Sequence, residues 1–100
     1  MIGCVVKFEW SSEKAAANVR KHDVAFELAQ QVWNDPAHFI VFDRRDGAEE
    51  RWHAIGLVHG VLILTVVHTH PVPDDETSVR IISARKATTR EKGRYDATDE

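Results

Sequence analysis

The chain has 100 residues, 43% of them hydrophobic, and a formal net charge of −3, which is typical of a single soluble domain over residues 1–100. The longest apolar run covers residues 61–67 and is far shorter than the roughly 20 residues of a transmembrane helix. Cys4 is the only cysteine, which excludes an intrachain disulfide. Together with the lack of a signal-peptide pattern, this favours the reducing cytoplasm.

The N-terminal third predicts one strand and two helices. Alternating apolar residues in "CVVKFEW" predict a strand that ends at Trp10. A serine pair followed by "EKAAANVRKH" predicts a helix over about residues 12–21, with basic residues in its last turn. Asp23 stands where a left-handed residue is needed to end that helix. Helical spacing of the apolar residues in "VAFELAQQVWND" predicts a second amphipathic helix, which ends at 34–36 before a proline.

The rest of the chain predicts four strands followed by a helix. A polar turn over residues 43–50 separates the first two strands, and His59-Gly60 is a plausible two-residue hairpin turn. Thr88 and Glu91 have the spacing of a helix-capping box. The predicted strands cover residues 38–42, 51–58, 61–70 and 77–84, and the final helix covers residues 89–97.

The resulting element order is β-α-α-β-β-β-β-α, which predicts an α+β fold. Four successive strands with short connections favour a curved antiparallel meander, to which the first strand is added. Helices that precede and follow such a meander pack mainly on one face of the sheet.

The basic residues are unevenly distributed. Residues 85–95 contain five basic residues and one acid, Glu91, whereas residues 1–84 contain eight basic and twelve acidic residues. A basic segment in an acidic chain is either a phosphate-binding patch or a solvated helix face balanced by the acidic tail. Charge alone leaves both interpretations open.

A metal-dependent hydrolase is one alternative. The imidazoles of His68 and His70 share one side of a strand, and His53 on the neighbouring strand is a third ligand only if the register allows it. No recognised metal-ligand spacing, G-x-S-x-G motif or glycine-rich phosphate loop occurs in the sequence. We therefore predict no metal and no nucleotide cofactor.

The alternative chemistry is metal-free RNA cleavage. RNA carries its own nucleophile, the 2′-hydroxyl, so cleavage requires alignment, stabilisation of charge on phosphorus and proton transfer. Arginine, lysine and histidine side chains can supply all three, and arginine grips phosphate with two parallel hydrogen bonds. A competing interpretation for each arginine is a strand-edge salt bridge to one of the many acids. For Lys21 and His22 it is a favourable interaction with the helix dipole.

Four segments resemble the BrnT family of bacterial type II toxins, over about residues 7–95. The first combines "KFEW" with "KAAANVRKHDVAFELAQQVWNDP", and the others are "EERWHAIG", "VLILTVVHT" and "RIISARKATTREKGRY". Because these motifs occur in the order typical of the family, the set is more specific than any one of them alone.

The resemblance implies a RelE-like fold and an RNA-cleaving toxin that blocks translation. It also implies a BrnA-like antitoxin of the ribbon-helix-helix type, which neutralises the toxin and contacts operator DNA. On the matching motif positions, we expect Arg80 and Arg85 to hold the scissile phosphate. We expect His22, or else His68, to transfer the proton. Arg51 completes the expected catalytic set, and the expected RNA-binding residues are Lys21, His68, Lys86, Arg90, Lys92 and Arg94.

The chain also departs from the family pattern. Asp23 and Ala25 replace a usual glycine and a usual helix-capping residue, "DRRDGAEE" lacks a frequent His-Ser pair, and "HPVPDDE" lacks an arginine that relatives often carry. A second hypothesis is therefore a catalytically degenerate toxin that binds its antitoxin and acts as a co-repressor.

Overall fold

The computed structural model describes residues 5–98, so Cys4 and the last two acidic residues lie outside the described part. Within that part, no helix is both long and apolar enough to cross a membrane. The elements in chain order are β1 (Lys7–Glu9), α1 (Ser12–His22), α2 (Phe26–Ala29), a 3₁₀ helix (Gln30–Asn34), β2 (Phe39–Asp46), β3 (Glu49–Val58), β4 (Leu62–Thr69), β5 (Ser78–Lys86) and α3 (Thr89–Thr98).

The five strands form one sheet in the order β1-β5-β4-β3-β2. Strands β2 to β5 are an antiparallel meander, as the sequence predicted, and β1 pairs in parallel with β5. The α+β fold class and the predicted element order are confirmed. The residue pattern did not predict the parallel direction of β1.

The ends of the first two helices follow from local chemistry. Ser11 caps α1, because its hydroxyl accepts a hydrogen bond from the Lys14 amide at 3.3 Å. Asp23 ends α1 in the left-handed conformation, with φ 58°. The predicted second helix is α-helical only over Phe26–Ala29 and continues as the 3₁₀ helix to Asn34. Its predicted end before Pro36 is confirmed.

The turn between β2 and β3 is much shorter than predicted. The expected polar turn over residues 43–50 was wrong, because the two strands remain paired as far as Asp46 and Glu49. The opposed side chains of Arg45 and Glu50 form an ion pair of 2.7 Å across the hairpin. Cross-strand pairs of opposite charge stabilise a ladder, so this polar segment is a hairpin tip rather than a loop.

The apolar core lies between the helices and one face of the sheet. Buried side chains of α2 and the 3₁₀ helix, such as Phe26 and Val32, pack against Ala54 and Val66 of the central strands. Gly56 allows the 3₁₀ helix to approach closely, since a Cβ atom there would lie 3.0 Å from Val32 Cγ1. The sheet face that carries this core is called the core face.

Two polar side chains form hydrogen bonds with backbone groups at the edges of the sheet. Beyond the short strand β1, the Asn18 amide pairs with the backbone of Ala84, accepting from its N–H at 3.0 Å and donating to its carbonyl at 2.8 Å. Beyond the end of β2, Asp35 accepts a 2.8 Å hydrogen bond from the Leu57 amide and a 2.7 Å bond from the Tyr95 hydroxyl. These contacts attach α1 and α3 to the sheet at fixed positions.

Candidate active site on the open face of the sheet

The second face of the sheet carries polar and charged side chains. Residues directly opposite each other on antiparallel strands point to the same face, so the registers identify three rows that run across it. We call this surface the open face. Two rows are Phe39, Ile55, Thr65 and Arg85, and Val41, His53, Val67 and Ser83. The third combines the pairs Arg44–Arg51 and Thr69–Arg80, since Arg51 and Thr69 each lie one residue beyond the Trp52–His68 pair.

A β-bulge in β5 brings two arginines to the open face. Val67 is opposite Ser83 but His68 is opposite Ile81, so the strand has one extra residue at this point. In a regular strand Arg80 and Arg85, five residues apart, would point to opposite faces. With the bulge, both point to the open face. They lie opposite Thr69 and Thr65, which places their strand positions about 13 Å apart.

A second bulge, in β2, brings a carboxylate beside a histidine. Phe42 is opposite Trp52 and Arg44 is opposite Arg51, which leaves Asp43 as the extra residue. The Asp43 Oδ2 atom lies 3.4 Å from Nε2 of His53, and the two side chains are 25% and 19% exposed. His53 therefore combines access to solvent with an adjacent negative charge. This is the usual setting of a histidine that transfers protons.

Arg85 lies at the end of the open face that α3 covers. Its guanidinium donates two hydrogen bonds to Glu91, Nη1 to Oε1 at 2.7 Å and Nη2 to Oε2 at 3.0 Å. The Thr65 hydroxyl and the Thr88 amide also donate to Oε1 of Glu91, and Thr88 Oγ1 accepts from the Glu91 amide. The predicted capping box is thus present, and it fixes the carboxylate that holds Arg85.

This ion pair shifts the pKa values of both groups. The hydrogen bonds from Arg85, Thr88 and Thr65 outweigh the effect of burial and lower the pKa of Glu91 from 4.5 to about 2. The hydrogen bonds to Glu91 and the nearby charges of Glu91 and Asp43 raise the pKa of Arg85. Both groups are therefore fully charged at physiological pH.

The other two arginines of the open face also have acidic neighbours. Nη2 of Arg51 lies 3.3 Å from Asp46 and 3.6 Å from Glu49. Its Nε atom is buried and has no hydrogen-bond partner in the described part of the chain. Arg80 pairs with Glu9 of β1 at 2.6 Å. Arg51 thus keeps one unused donor, whereas Arg80 and Arg85 are held by carboxylates.

Comparison with known proteins assigns the fold and the family. A family model described as the ribonuclease toxin BrnT of a type II toxin–antitoxin system matches residues 10–91. The chain belongs to the BrnT family. The crystal structure of the Brucella abortus ribonuclease toxin BrnT superposes with a TM-score of 0.64 at 24% sequence identity, over 85% of this chain and 100% of that one. No protein with a curated description matches the sequence significantly.

Three of the four predicted catalytic residues of this BrnT chain, namely Arg51, Arg80 and Arg85, lie on the open face. His22 does not. It lies with Lys21 in the exposed last turn of α1, a helix attached at the free edge of β5 and packed with the core-face layer.

His68, the other expected proton-transfer group, lies on the core face. It is fully buried, and its ring packs edge-on against Trp33 at a centroid distance of 5.0 Å. Burial lowers its pKa to about 4, so the ring is neutral near pH 7. Its position opposite Trp52 separates it from the arginines, and we do not retain it as an RNA-binding residue.

The basic residues of α3 are all exposed to solvent. Arg90, Lys92 and Arg94 are exposed, and the Arg94 guanidinium carbon lies 5.5 Å from the centroid of the Phe39 ring. Lys86 is also exposed but is opposite Leu64, so it points to the core-face side. Of these four predicted cations, Arg94 is the one with a contact to the open face in the described structure.

His53 and Asp43 are the site residues that sequence reasoning missed. The alternation of β3 did place His53 on the same face as Arg51, but we considered His53 only as a metal ligand. Within residues 5–98, no group of three or more His, Cys, Asp or Glu side chains is arranged to hold a metal ion. Nothing in the sequence marks Asp43 as a bulge, so its contact with His53 could not be predicted.

Proposed function

We propose that this member of the BrnT family is a metal-independent endoribonuclease whose active site is the open face of the sheet. The observation that carries the proposal is the position of His53. It lies beside Asp43, between the row that contains Arg51 and the row that contains Arg85. One candidate base thus has cationic side chains on either side, along the path that an RNA strand would take across the sheet.

The chemistry uses the 2′-hydroxyl of RNA as the nucleophile. The 2′-oxygen attacks phosphorus, the bond from phosphorus to the 5′-oxygen breaks, and the products are a 2′,3′-cyclic phosphate and a 5′-hydroxyl. His53 accepts the proton of the 2′-hydroxyl, and the leaving 5′-oxygen takes a proton from water. Asp43 lies 3.4 Å from Nε2 of the imidazole, the position that a carboxylate takes in other catalytic pairs.

The arginines stabilise the additional negative charge on phosphorus in the transition state. Glu91 fixes the Arg85 guanidinium and uses one N–H of each Nη atom, which leaves other N–H groups of Arg85 for a phosphate. Arg51 contributes its positive charge, and its Nε has no acceptor in the described structure but is buried. Donors fixed before the reaction cost little reorganisation, which is the main source of electrostatic catalysis. Arg80 and Arg85 lie opposite positions of β4 that are about 13 Å apart. We therefore assign Arg80 to a neighbouring phosphate rather than to the scissile one.

The toxin assignment also supports proposals about the cellular role. A type II toxin requires an antitoxin, and we propose a BrnA-like ribbon-helix-helix protein that supplies all contact with operator DNA. We further propose that RNA cleavage inhibits translation in the cytoplasm, with Lys21 and the exposed cations of α3 contributing general attraction to RNA.

A catalytically degenerate toxin is the second candidate. The observation that favours it is that Arg80 and Arg85 each hold their own carboxylate, at 2.6 and 2.7 Å. If RNA phosphate cannot compete with Glu9 and Glu91, the protein binds its antitoxin and represses the operon without cleaving RNA.

A cleavage assay with matched histidine variants tests the proposal. Purified wild type and His53→Ala are incubated with a fluorescent RNA in the presence of a chelator. We expect cleavage by the wild type and a loss of about 100-fold or more in His53→Ala, the usual contribution of a general base. His59→Asn is the control, because His59 lies in an exposed turn with φ 55° and asparagine tolerates that conformation. Equal rates for wild type and His53→Ala would contradict the assignment, and an inactive wild type would favour the degenerate toxin.

A further inference from the structure

A groove of about 1120 Å³ opens at one end of the sheet, between the tip of the β2–β3 hairpin and the loop that joins β4 to β5. Its lining includes Ile40 and Trp52. The Trp52 ring packs edge-on against Phe42, which is 50% exposed. The groove therefore offers an apolar and aromatic surface that the described part of the chain leaves accessible.

Acidic side chains surround this surface. The six carboxylates among the lining residues are Asp46, Glu49, Glu50, Asp74, Asp75 and Glu76. The lining also contains His70 and one arginine, Arg80, which is itself paired with Glu9.

The acids of the β4–β5 loop are the least neutralised members of this set. Within residues 5–98, no salt bridge involves Asp74, Asp75 or Glu76. Hydrogen bonds from the hydroxyl and amide of Thr77 lower the pKa of Asp75, so its carboxylate is ionised at physiological pH. The groove is therefore strongly negative where the loop borders it.

We propose that the groove is the docking site for a cationic segment of the antitoxin that carries an apolar side chain. This inference rests on the proposed function, since it requires that the chain be a toxin with an antitoxin. Lysine or arginine side chains pair with the acidic rim, and the apolar side chain packs on Ile40 and Trp52. RNA is disfavoured because its phosphates meet six carboxylates. A second copy of the chain is disfavoured because a symmetric contact would bring two acidic grooves together.

The position of the groove explains how docking would inhibit the toxin. Thr69 and Arg80 belong both to the groove and to the arginine row of the open face. The groove acids Asp46 and Glu49 are also the partners of Arg51. Because Ile40 and Trp52 point to the core-face side of the sheet, a segment that packs on them reaches the open face only at its end. There it contacts Arg80 and the acids that hold Arg51.

The test compares two double variants that remove equal charge. The groove variant is Asp74→Asn with Glu76→Gln, since asparagine tolerates the positive φ of 61° at position 74. The control is Glu13→Gln with Glu27→Gln, two exposed acids of α1 and α2. Calorimetric titration with the purified antitoxin of the same operon measures the dissociation constant. We expect the groove variant to weaken binding by about fivefold or more and the control by less than about twofold.

A second pair of variants tests the apolar surface. Ile40→Arg places a bulky cation on the floor of the groove, and Val61→Arg places one in the exposed β3–β4 turn. Ile40→Arg is expected to reduce antitoxin affinity by about 100-fold, the loss typical of a central anchor contact, and Val61→Arg to leave it unchanged. Circular dichroism and thermal melting verify that all variants are folded.

Several results would overturn the proposal. The first is an unchanged antitoxin affinity in both groove variants. The second is an equal loss of antitoxin affinity in the groove variants and the controls, and the third is a wild type that does not bind the antitoxin. A gain in RNA affinity with unchanged antitoxin affinity would assign the groove to RNA, and a wild-type dimer that Ile40→Arg dissociates would assign it to a second copy. Binding is measured without RNA, so the two proposals can fail separately. If the wild type does not cleave RNA but the groove variants still lose affinity for the antitoxin, only the proposed nuclease activity is contradicted.

Discussion

Arg85 and Glu91 form a two-pronged ion pair, at 2.7 and 3.0 Å, that joins the last strand to the last helix. The same carboxylate completes the capping box of α3 and accepts from Thr65 in β4. One side chain thus fixes the helix on the sheet and holds the guanidinium that we assign to the scissile phosphate.

The ion pair predicts a specific loss of stability in acid. A carboxyl whose pKa is lowered on folding stabilises the native state fully above its unfolded pKa, and this stabilisation is lost as the pH falls towards the folded pKa. For Glu91 that window runs from 4.5 to about 2, and at about 1.4 kcal/mol per pKa unit the loss is at most about 3.5 kcal/mol. Glu91→Gln should lack this component. Urea denaturation from pH 5 to pH 2 measures it, and parallel curves for wild type and variant would refute the linkage.

The buried His68 predicts a second loss of stability as the pH falls, in a pH window above that of Glu91. Its pKa falls from 6.5 to about 4 on burial, so the unfolded chain binds a proton that the folded chain does not. Stability therefore decreases as the pH falls from 6.5 towards 4, by at most about 3.5 kcal/mol. His68→Gln should be less stable at pH 7 but less sensitive to pH within this window. His59→Asn is the control with an exposed ring, and it should retain the wild-type slope.

Two glycine substitutions should have opposite effects. A Cβ atom on Gly56 would lie 2.9 Å from His38 Cβ and 3.0 Å from Val32 Cγ1, so Gly56→Ala should lower the free energy of unfolding by about 1–3 kcal/mol. A Cβ atom on Gly93 in α3 would meet nothing within 4 Å. Gly93→Ala should therefore raise the free energy of unfolding by up to about 1 kcal/mol. Chemical denaturation at pH 7 compares the two, and destabilisation by both would contradict the packing described here.

Asn18 should be among the most sensitive polar positions. Its side-chain amide donates to the carbonyls of Val24 and Ala84 and accepts from the Ala84 amide, all within 3.0 Å. Asn18→Ala leaves three buried backbone groups without partners, and each costs about 1–3 kcal/mol. We expect a loss of at least about 2 kcal/mol, together with faster hydrogen exchange at the Ala84 amide. Asn34→Ala is the control, since the exposed side chain of Asn34 bonds only the half-buried Gln31 side chain in the described structure.

Much of the fold followed from the sequence because its signals are local. The Ser11 cap, the left-handed Asp23, the capping box at Thr88 and the His59-Gly60 turn all depend on neighbouring residues. The long β2–β3 hairpin was missed because its polar residues resemble a loop. Their cross-strand pairing, such as Arg45 with Glu50, becomes visible only when the strands are aligned.

The candidate site was predicted less completely, for a physical reason. Residue types identified the arginines, but the face to which a side chain points depends on bulges. One extra residue in β5 places Arg80 and Arg85 on the same face, and one in β2 brings Asp43 to His53. Neither bulge has a sequence signal, so His22 and His68 were preferred to His53 as proton-transfer groups.

The central claim is that RNA cleaves itself on the open face, with its own 2′-hydroxyl as the nucleophile. The most direct measurement uses an RNA oligonucleotide and a copy that lacks the 2′-hydroxyl at the cleaved position, incubated with the purified protein in chelator. We predict that the first gives a 2′,3′-cyclic phosphate and a 5′-hydroxyl, identified by mass spectrometry, and that the second stays intact. Cleavage of both substrates at similar rates, or products that carry a 5′-phosphate, would contradict the account.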